Sequence, residues 1–285
     1  MTNVLSFYNA AHLIAVKGSP RYLSSSISKN TYGSGEFDHL SEYVYGESFK
    51  RVHAGASARS GRYYVKKCLD DQGKRSLVIL DPSSSMLYGS TVSKWSTSLG
   101  IAEVIMLSLT QNGESTRFIV PNSIDSGYIK NALIAQVIRD LTPPSLCDSE
   151  SLEFFFSNSI DVTAYSSIVF ITDLFSVSEK LLSFAKKCSW YNSLTIIRVI
   201  DPLETEIPVS RRKLIFKDPE SGIVVRCSIN EEVKDLYAFR QQQYLSKCSD
   251  ILTAAKVDVV DICNNEEFMH DLVRKLYSRR MYDKS

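Results

Sequence analysis

The 285 residues carry 33 Lys and Arg against 32 Asp and Glu, with 44% apolar and 23% charged content. That is ordinary globular chemistry, long enough for one large core with an extension, and a net charge of +1 gives no global reason to bind nucleic acid. The six cysteines are scattered without a Cys-x-x-Cys pair, which argues against zinc and against a disulfide framework and for reduced thiols in a cytoplasmic protein.

Residues 3–17 read as a short amphipathic helix on Leu5, Tyr8, Leu13 and Val16, without the basic start or cleavage site of a signal peptide. No apolar run reaches the roughly 18 residues a membrane helix needs. Residues 20–35, rich in Ser and Gly, read as a loop. Residues 1–75 hold a local excess of five basic groups, leaving about −4 for the rest, and are expected to form an N-terminal extension wrapping a core of 76–285. Within the extension, 62–67 alternates like an edge strand guarded by Lys66 and Lys67.

Leu77 to Leu80 is wholly apolar, the mark of a strand buried on both faces. A long helix is expected over 90–110, a strand over 117–120, helices over 128–141 and 151–156, and a second buried strand over 167–172. A helix over 177–188 and a strand over 194–200 follow. Then come a hairpin of 213–216 with 223–227, a charged helix over 231–253, a strand over 257–262 and a last helix over 265–279. Strands alternating with helices predict an α/β fold with a doubly wound, mostly parallel sheet, carrying the hairpin and its helix as a C-terminal addition.

Two of the buried strands end in an acid, Asp81 and Asp173. Carboxyl ends of central parallel strands are where open α/β sheets bind ligands. Ser83 and Ser85 follow Asp81 at alternate positions, and hard oxygen donors of this kind suit Mg²⁺ or Mn²⁺ rather than zinc or copper. Two carboxylates brought together repel and favour a cation. The same residues also fit capped turns, with Ser83 or Ser85 opening the next helix. There is no Walker A and no Gly-x-Ser-x-Gly. An aspartyl nucleophile at Asp81 would want a second acid at position 83, which is Ser.

The spacing Asp81, Ser83, Ser85 resembles the metal-ion-dependent adhesion site of von Willebrand factor A domains. The blocks 36–38, 43–51, 56–59, 64–67 and 80–86, with Ile171-Thr172-Asp173-Leu174-Phe175, Asp201-Pro202-Leu203-Glu204 and 218–222, resemble domain-of-unknown-function family 58. These are bacterial von Willebrand factor A-like proteins often encoded beside a MoxR-type AAA+ ATPase. The resemblance implies a sheet of von Willebrand factor A type and a Mg²⁺ site of Asp81, Ser83, Ser85 and Asp173. It further implies a non-enzymatic role as adaptor for such an ATPase. The family's middle threonine is not evident, and Ser149 or Ser151 stands in its region. His53 replaces part of an acidic-aromatic pair and reads as structural, while Arg51 and Arg59 read as ion-pair partners of Glu36, Asp38 or Glu47. A metal-free scaffold and a metal-dependent phosphoester hydrolase are the alternatives.

Overall fold

The computed structural model describes residues 37–43, 52–68, 75–111, 114–129, 131–141, 149–158, 160–174, 177–191, 193–218 and 222–282. The expected helix over 3–17 and loop over 20–35 lie outside them, as do Arg51, Glu36 and Glu47. Described residues 37–68 form one compact unit and those from 75 onward another.

In the smaller unit, β1 (Phe37–Glu42) pairs antiparallel with β2 (Tyr64–Cys68) across α1 (Ala54–Ser60). His53 is the N-cap of α1, its Nδ1 accepting the Ala56 N–H at 2.9 Å. That satisfies one of the donors a helix start leaves open. Arg62 pairs with Glu42 at 3.1 Å. The alternating stretch 62–67 thus belongs to a two-stranded ribbon.

The larger unit is built on β3 (Arg75–Leu80), β4 (Ser115–Val120), β5 (Ile124–Ile129), β6 (Ser167–Thr172), β7 (Ser193–Ile200) and β10 (Asp258–Cys263). They lie in the order β10-β7-β6-β3-β4-β5, parallel except for β5 at the edge. A strand's side chains alternate between faces. Val78 and Leu80 therefore enter one core with Val169, Ile171, Ile197 and Val199. Leu77 and Ile79 enter the other with Ile168, Phe170, Leu194 and Ile196. The first core is closed by α2 (Lys94–Gln111), α3 (Asn131–Arg139) and α8 (Phe268–Tyr282). The second is closed by α4 (Ser149–Asn158), α5 (Glu179–Tyr191) and α7 (Glu231–Ala254). Helices on both faces of a mostly parallel sheet make the fold doubly wound, as its sequence pattern predicts.

One expected element differs. The segment read as the start of a helix at Tyr128 continues instead as β5, which turns back onto β4 through Asn122 at φ 58°. Asn tolerates that left-handed geometry. Ser126 Oγ accepts the Phe118 N–H at 2.9 Å, and Arg117 grips Asp125 with two hydrogen bonds. The helix itself begins only at Asn131. The expected hairpin is present as β8 (Ser210–Lys217) and β9 (Val224–Ile229), joined at 218–222. Among the described residues no helix is long and apolar enough to cross a membrane.

A buried arginine ties the sheet to α7. Arg198 on β7 makes 2.8 Å bonds from Nε and Nη2 to the two carboxylate oxygens of Asp261, its register partner on β10. It also donates to the Leu245 carbonyl and to Ser249 on α7. Asp261→Asn should lower stability by about 1 to 2 kcal/mol, the half-exposed carboxylate limiting the loss. Arg198→Met/Asp261→Asn should regain most of it in urea unfolding; a further loss would show that the α7 bonds dominate.

Candidate metal centre

In a doubly wound sheet the ligand crevice opens where successive connections leave in opposite directions. Here β3 connects onward to β4 on one side, while β6 connects onward to β7 on the other. The crevice therefore lies between the carboxyl ends of β3 and β6, where Asp81 and Asp173 follow their strands. Both acids expected at one sheet edge are at that edge.

Asp81 is only 3% exposed. Its N–H donates to the Ile171 carbonyl at 2.9 Å, extending the β3–β6 ladder by one bond. One carboxylate oxygen accepts the Ser83 N–H at 2.8 Å and the other accepts the Thr172 hydroxyl at 2.6 Å. Burial, and then the charge of Asp173, push its pKa up to about 6 against the pull of these hydrogen bonds. Neither acid caps a helix: the short 3₁₀ turn Ser84–Leu87 starts after Ser83, whose side chain makes no capping bond. Ser83 and Ser85 are buried, with hydroxyl oxygens 3.1 Å apart.

Asp173 has a cationic partner instead. Lys94, the first residue of α2, is fully buried and donates from Nζ to Asp173 at 2.8 Å and to Glu204 at 2.5 Å. Burial opposes its charge, but Asp173 and Glu204 outweigh burial and hold the ammonium above the usual lysine range. Glu204 is nonetheless raised, because burial and Asp173 together exceed the attraction of a cation it must share. The loop before α2 sets Lys94 in place. Its N–H donates to the Tyr88 carbonyl at 2.8 Å. A Cβ on Gly89 would fall 1.8 Å from the Val92 carbonyl oxygen, so only glycine fits that bend.

Glu204 sits on α6 (Pro202–Thr205), where Asp201 is the N-cap and the two acids form a reciprocal capping box. Burial alone would raise Asp201, but bonds from Ser90, Asn264 and the Leu203 N–H hold it below the usual range. Leu174, just past Asp173, adopts φ 50°, with its N–H on the Thr172 hydroxyl at 3.0 Å. A non-glycine residue in that region costs roughly 1 kcal/mol or more and fixes the direction in which the preceding acid leaves its strand. A small, shallow cleft adjoins, lined by Asp173, Leu174, Glu204, Gln241 and Tyr244 among others.

The structure thus brings Asp81, Ser83, Ser85 and Asp173 to one crevice. Ser149 begins α4, and its side chain, like that of Ser151, lies outside the described residues. Thr172 is the hydroxyl found on Asp81, and Lys94 and Glu204 complete the charge cluster; Thr172 and Glu204 lie in blocks that carry the family resemblance, but none of the three is read as a site residue from the sequence. Lys94 carries a local signal: a cation in the first turn opposes the helix dipole. Among the described residues no three His, Cys, Asp or Glu side chains group as metal ligands, so a metal here would need hydroxyl oxygens. Ser83 and Ser85 suit that need, since adjacent corners of a Mg²⁺ octahedron lie about 3.0 Å apart for bonds near 2.1 Å. Both oxygens of Asp81 are engaged within the fold, which disfavours it as a nucleophile.

The strand order, with its antiparallel edge strand, is that of a doubly wound α/β domain, the class that includes the von Willebrand factor A fold expected from the sequence. The chain belongs to the family described as Protein of unknown function DUF58, whose model matches residues 39–244. Among solved structures it is similar to the conserved hypothetical protein BatB from Bacteroides thetaiotaomicron, at 16% identity and TM-score 0.46 over 73% of this chain and 100% of that one. An aerotolerance-related membrane protein from Bacteroides fragilis is similar at 15% identity and TM-score 0.44, over 72% and 100%. A von Willebrand factor type A protein from Catenulispora acidiphila follows at 10% identity and TM-score 0.35, over 75% and 43%. No curated protein matches the chain.

Asp81 yields a pH prediction. Its folded pKa of about 6 lies above the ordinary 3.8, so the folded state holds the proton more tightly. Its contribution is full below about pH 4 and is lost as pH rises through 6, on the order of 3 kcal/mol in all. In chelator, Asp81→Asn should therefore exceed the wild type in stability at pH 7, with the gap closing towards pH 4 in denaturant melts. A gap that is constant with pH would refute the raised pKa.

Proposed function

We propose that this chain is a non-enzymatic protein-interaction module that presents the carboxyl edge of its sheet to a partner through a Mg²⁺- or Mn²⁺-assisted site. The observation that carries the reading is Asp81: a buried acid, paired with no cation among the described residues, beside two serine hydroxyls at octahedral spacing. Asp81, Asp173 and Glu204 against Lys94 leave the ionised crevice with an excess of negative charge, which a divalent cation offsets. In this reading the Ser83 and Ser85 hydroxyls hold the ion, with Asp81 and Asp173 directly or through water, and Ser149 is the candidate for a third hydroxyl. Bound there, the ion would offer an acceptor position to a carboxylate.

The rim supports a protein rather than a small molecule as the thing bound. Leu87 and Tyr88 follow β3 and Leu203 follows β7, all exposed at this edge. Of these, Tyr88 is of a residue type enriched at interaction hot spots. The family resemblance supplies the candidate partner, a MoxR-type AAA+ ATPase whose surface would contribute the Asp or Glu. Residues 1–75 would then be the extension and 76–285 the interaction domain, acting in the cytoplasm.

Metal at a hundred times its dissociation constant should stabilise the wild type by about 2.7 kcal/mol, and Ser83→Ala/Ser85→Ala should abolish the gain. Pull-down of the cognate ATPase should fall in EDTA and in the same double variant. Binding indifferent to both would remove the metal from the mechanism, and no binding would remove the partner.

A further inference from the structure

Lys94 is a cation in three unfavourable settings at once. Its side chain is fully buried, it opens a helix whose N-terminal dipole repels positive charge, and α2 is otherwise among the most apolar elements of the core. A lysine persists there only if acids compensate it, and two do, from β6 and from α6. Its Nζ also lies 6.0 Å from the Tyr88 ring centroid, beneath one of the exposed aromatic residues of the rim.

We infer that Lys94 is the resident cation of this crevice and competes with a divalent ion for Asp173, so that it sets the metal affinity of the chain. The inference rests on the metal-site reading and deepens it. Asp173 is the acid that both cations need: it directly follows Thr172, whose hydroxyl is bonded to Asp81 across the β3–β6 pair, so it leaves the same sheet edge as the Asp81–Ser83–Ser85 group, yet its Oδ2 is bonded to Nζ. A divalent ion drawing on Asp173 would place two positive groups on one carboxylate, and their repulsion in a buried site is large. Lys94 cannot simply swing away, because Glu204 holds it from the other side and is itself fixed, its second oxygen accepting the Asp201 N–H at 3.0 Å. The left-handed turn at Leu174 keeps Asp173 aimed as it is. The ammonium therefore does for Asp173 and Glu204 what a metal would otherwise do. The ion is left with Asp81 and the two serines as ligands that Lys94 does not contest.

The test is thermal unfolding of the full chain in EDTA and across a titration of Mg²⁺ and of Mn²⁺, for the wild type, Lys94→Met and Lys94→Met/Asp173→Asn. Removing Lys94 leaves uncompensated acids, so Lys94→Met should be less stable in EDTA and should be rescued by metal at a concentration about tenfold lower than the wild type responds to. The double variant, with the contested carboxylate neutralised, should lose that gain. A response from Lys94→Met with none from the wild type keeps the inference and shows that lysine has displaced the metal. A wild-type response that Lys94→Met matches or falls short of overturns the inference and leaves the metal site standing. No response from either overturns both, and a gain that survives Asp173→Asn overturns the competition for that acid. If Lys94→Met is unfolded in EDTA, folding on addition of metal supports the inference and failure to fold at any metal concentration counts against it.

Discussion

Three carboxylates, Asp81, Asp173 and Glu204, meet at the carboxyl edge of the central strands with one ammonium among them. That crowding is the constraint on which the rest of the site depends. Each acid is expensive to bury alone; Lys94 pairs with Asp173 and Glu204, and among the described residues no cation pairs with Asp81. Asp81 answers by holding its proton more tightly and by accepting hydrogen bonds from the Thr172 hydroxyl and the Ser83 N–H. Both responses are those of an acid that lacks a counter-ion.

The fold makes this crowding unavoidable. The β3–β6 junction is where the winding reverses, so the loops that follow these strands diverge from the edge where Asp81 and Asp173 sit. The two cores clamp the strands from both faces, and their apolar side chains cannot shift to relieve charge at the edge. Adjustment is confined to the loops. Gly89 bends one loop so that Lys94 starts its helix at the crevice, Leu174 turns another, and the capping box of α6 holds Glu204 against the ammonium. Structural parts of the molecule thereby fix the electrostatics of the candidate site.

Much of this was legible in the sequence. The apolar runs of β3, β6 and β7 announce buried parallel strands, because a strand covered on both faces has no reason to alternate. The acids that close the first two then fall at the sheet edge by topology alone. The edge strand β5 was not legible, because Ser126 and Gly127 dilute its pattern and the partner for its backbone bonds lies on β4. Thr172 was hidden as the last residue of an apolar run. Lys94 was hidden for a different reason: helical periodicity assigns faces but says nothing about where a long side chain reaches. Its two acids lie 79 and 110 residues further on. The local clue was its conflict with the helix dipole, and such conflicts between local rule and global fold collect at functional sites.

A divalent cation beyond Lys94 is the feature the proposed function needs at this edge. The most direct measurement is an anomalous-difference map from crystals of the full chain soaked in Mn²⁺. A peak is expected within bonding distance of the Ser83 and Ser85 hydroxyls on the Asp81 side, weaker in the wild type than in Lys94→Met. An empty map in both proteins at saturating Mn²⁺, with Asp173 still on Lys94 in the wild type, would contradict it.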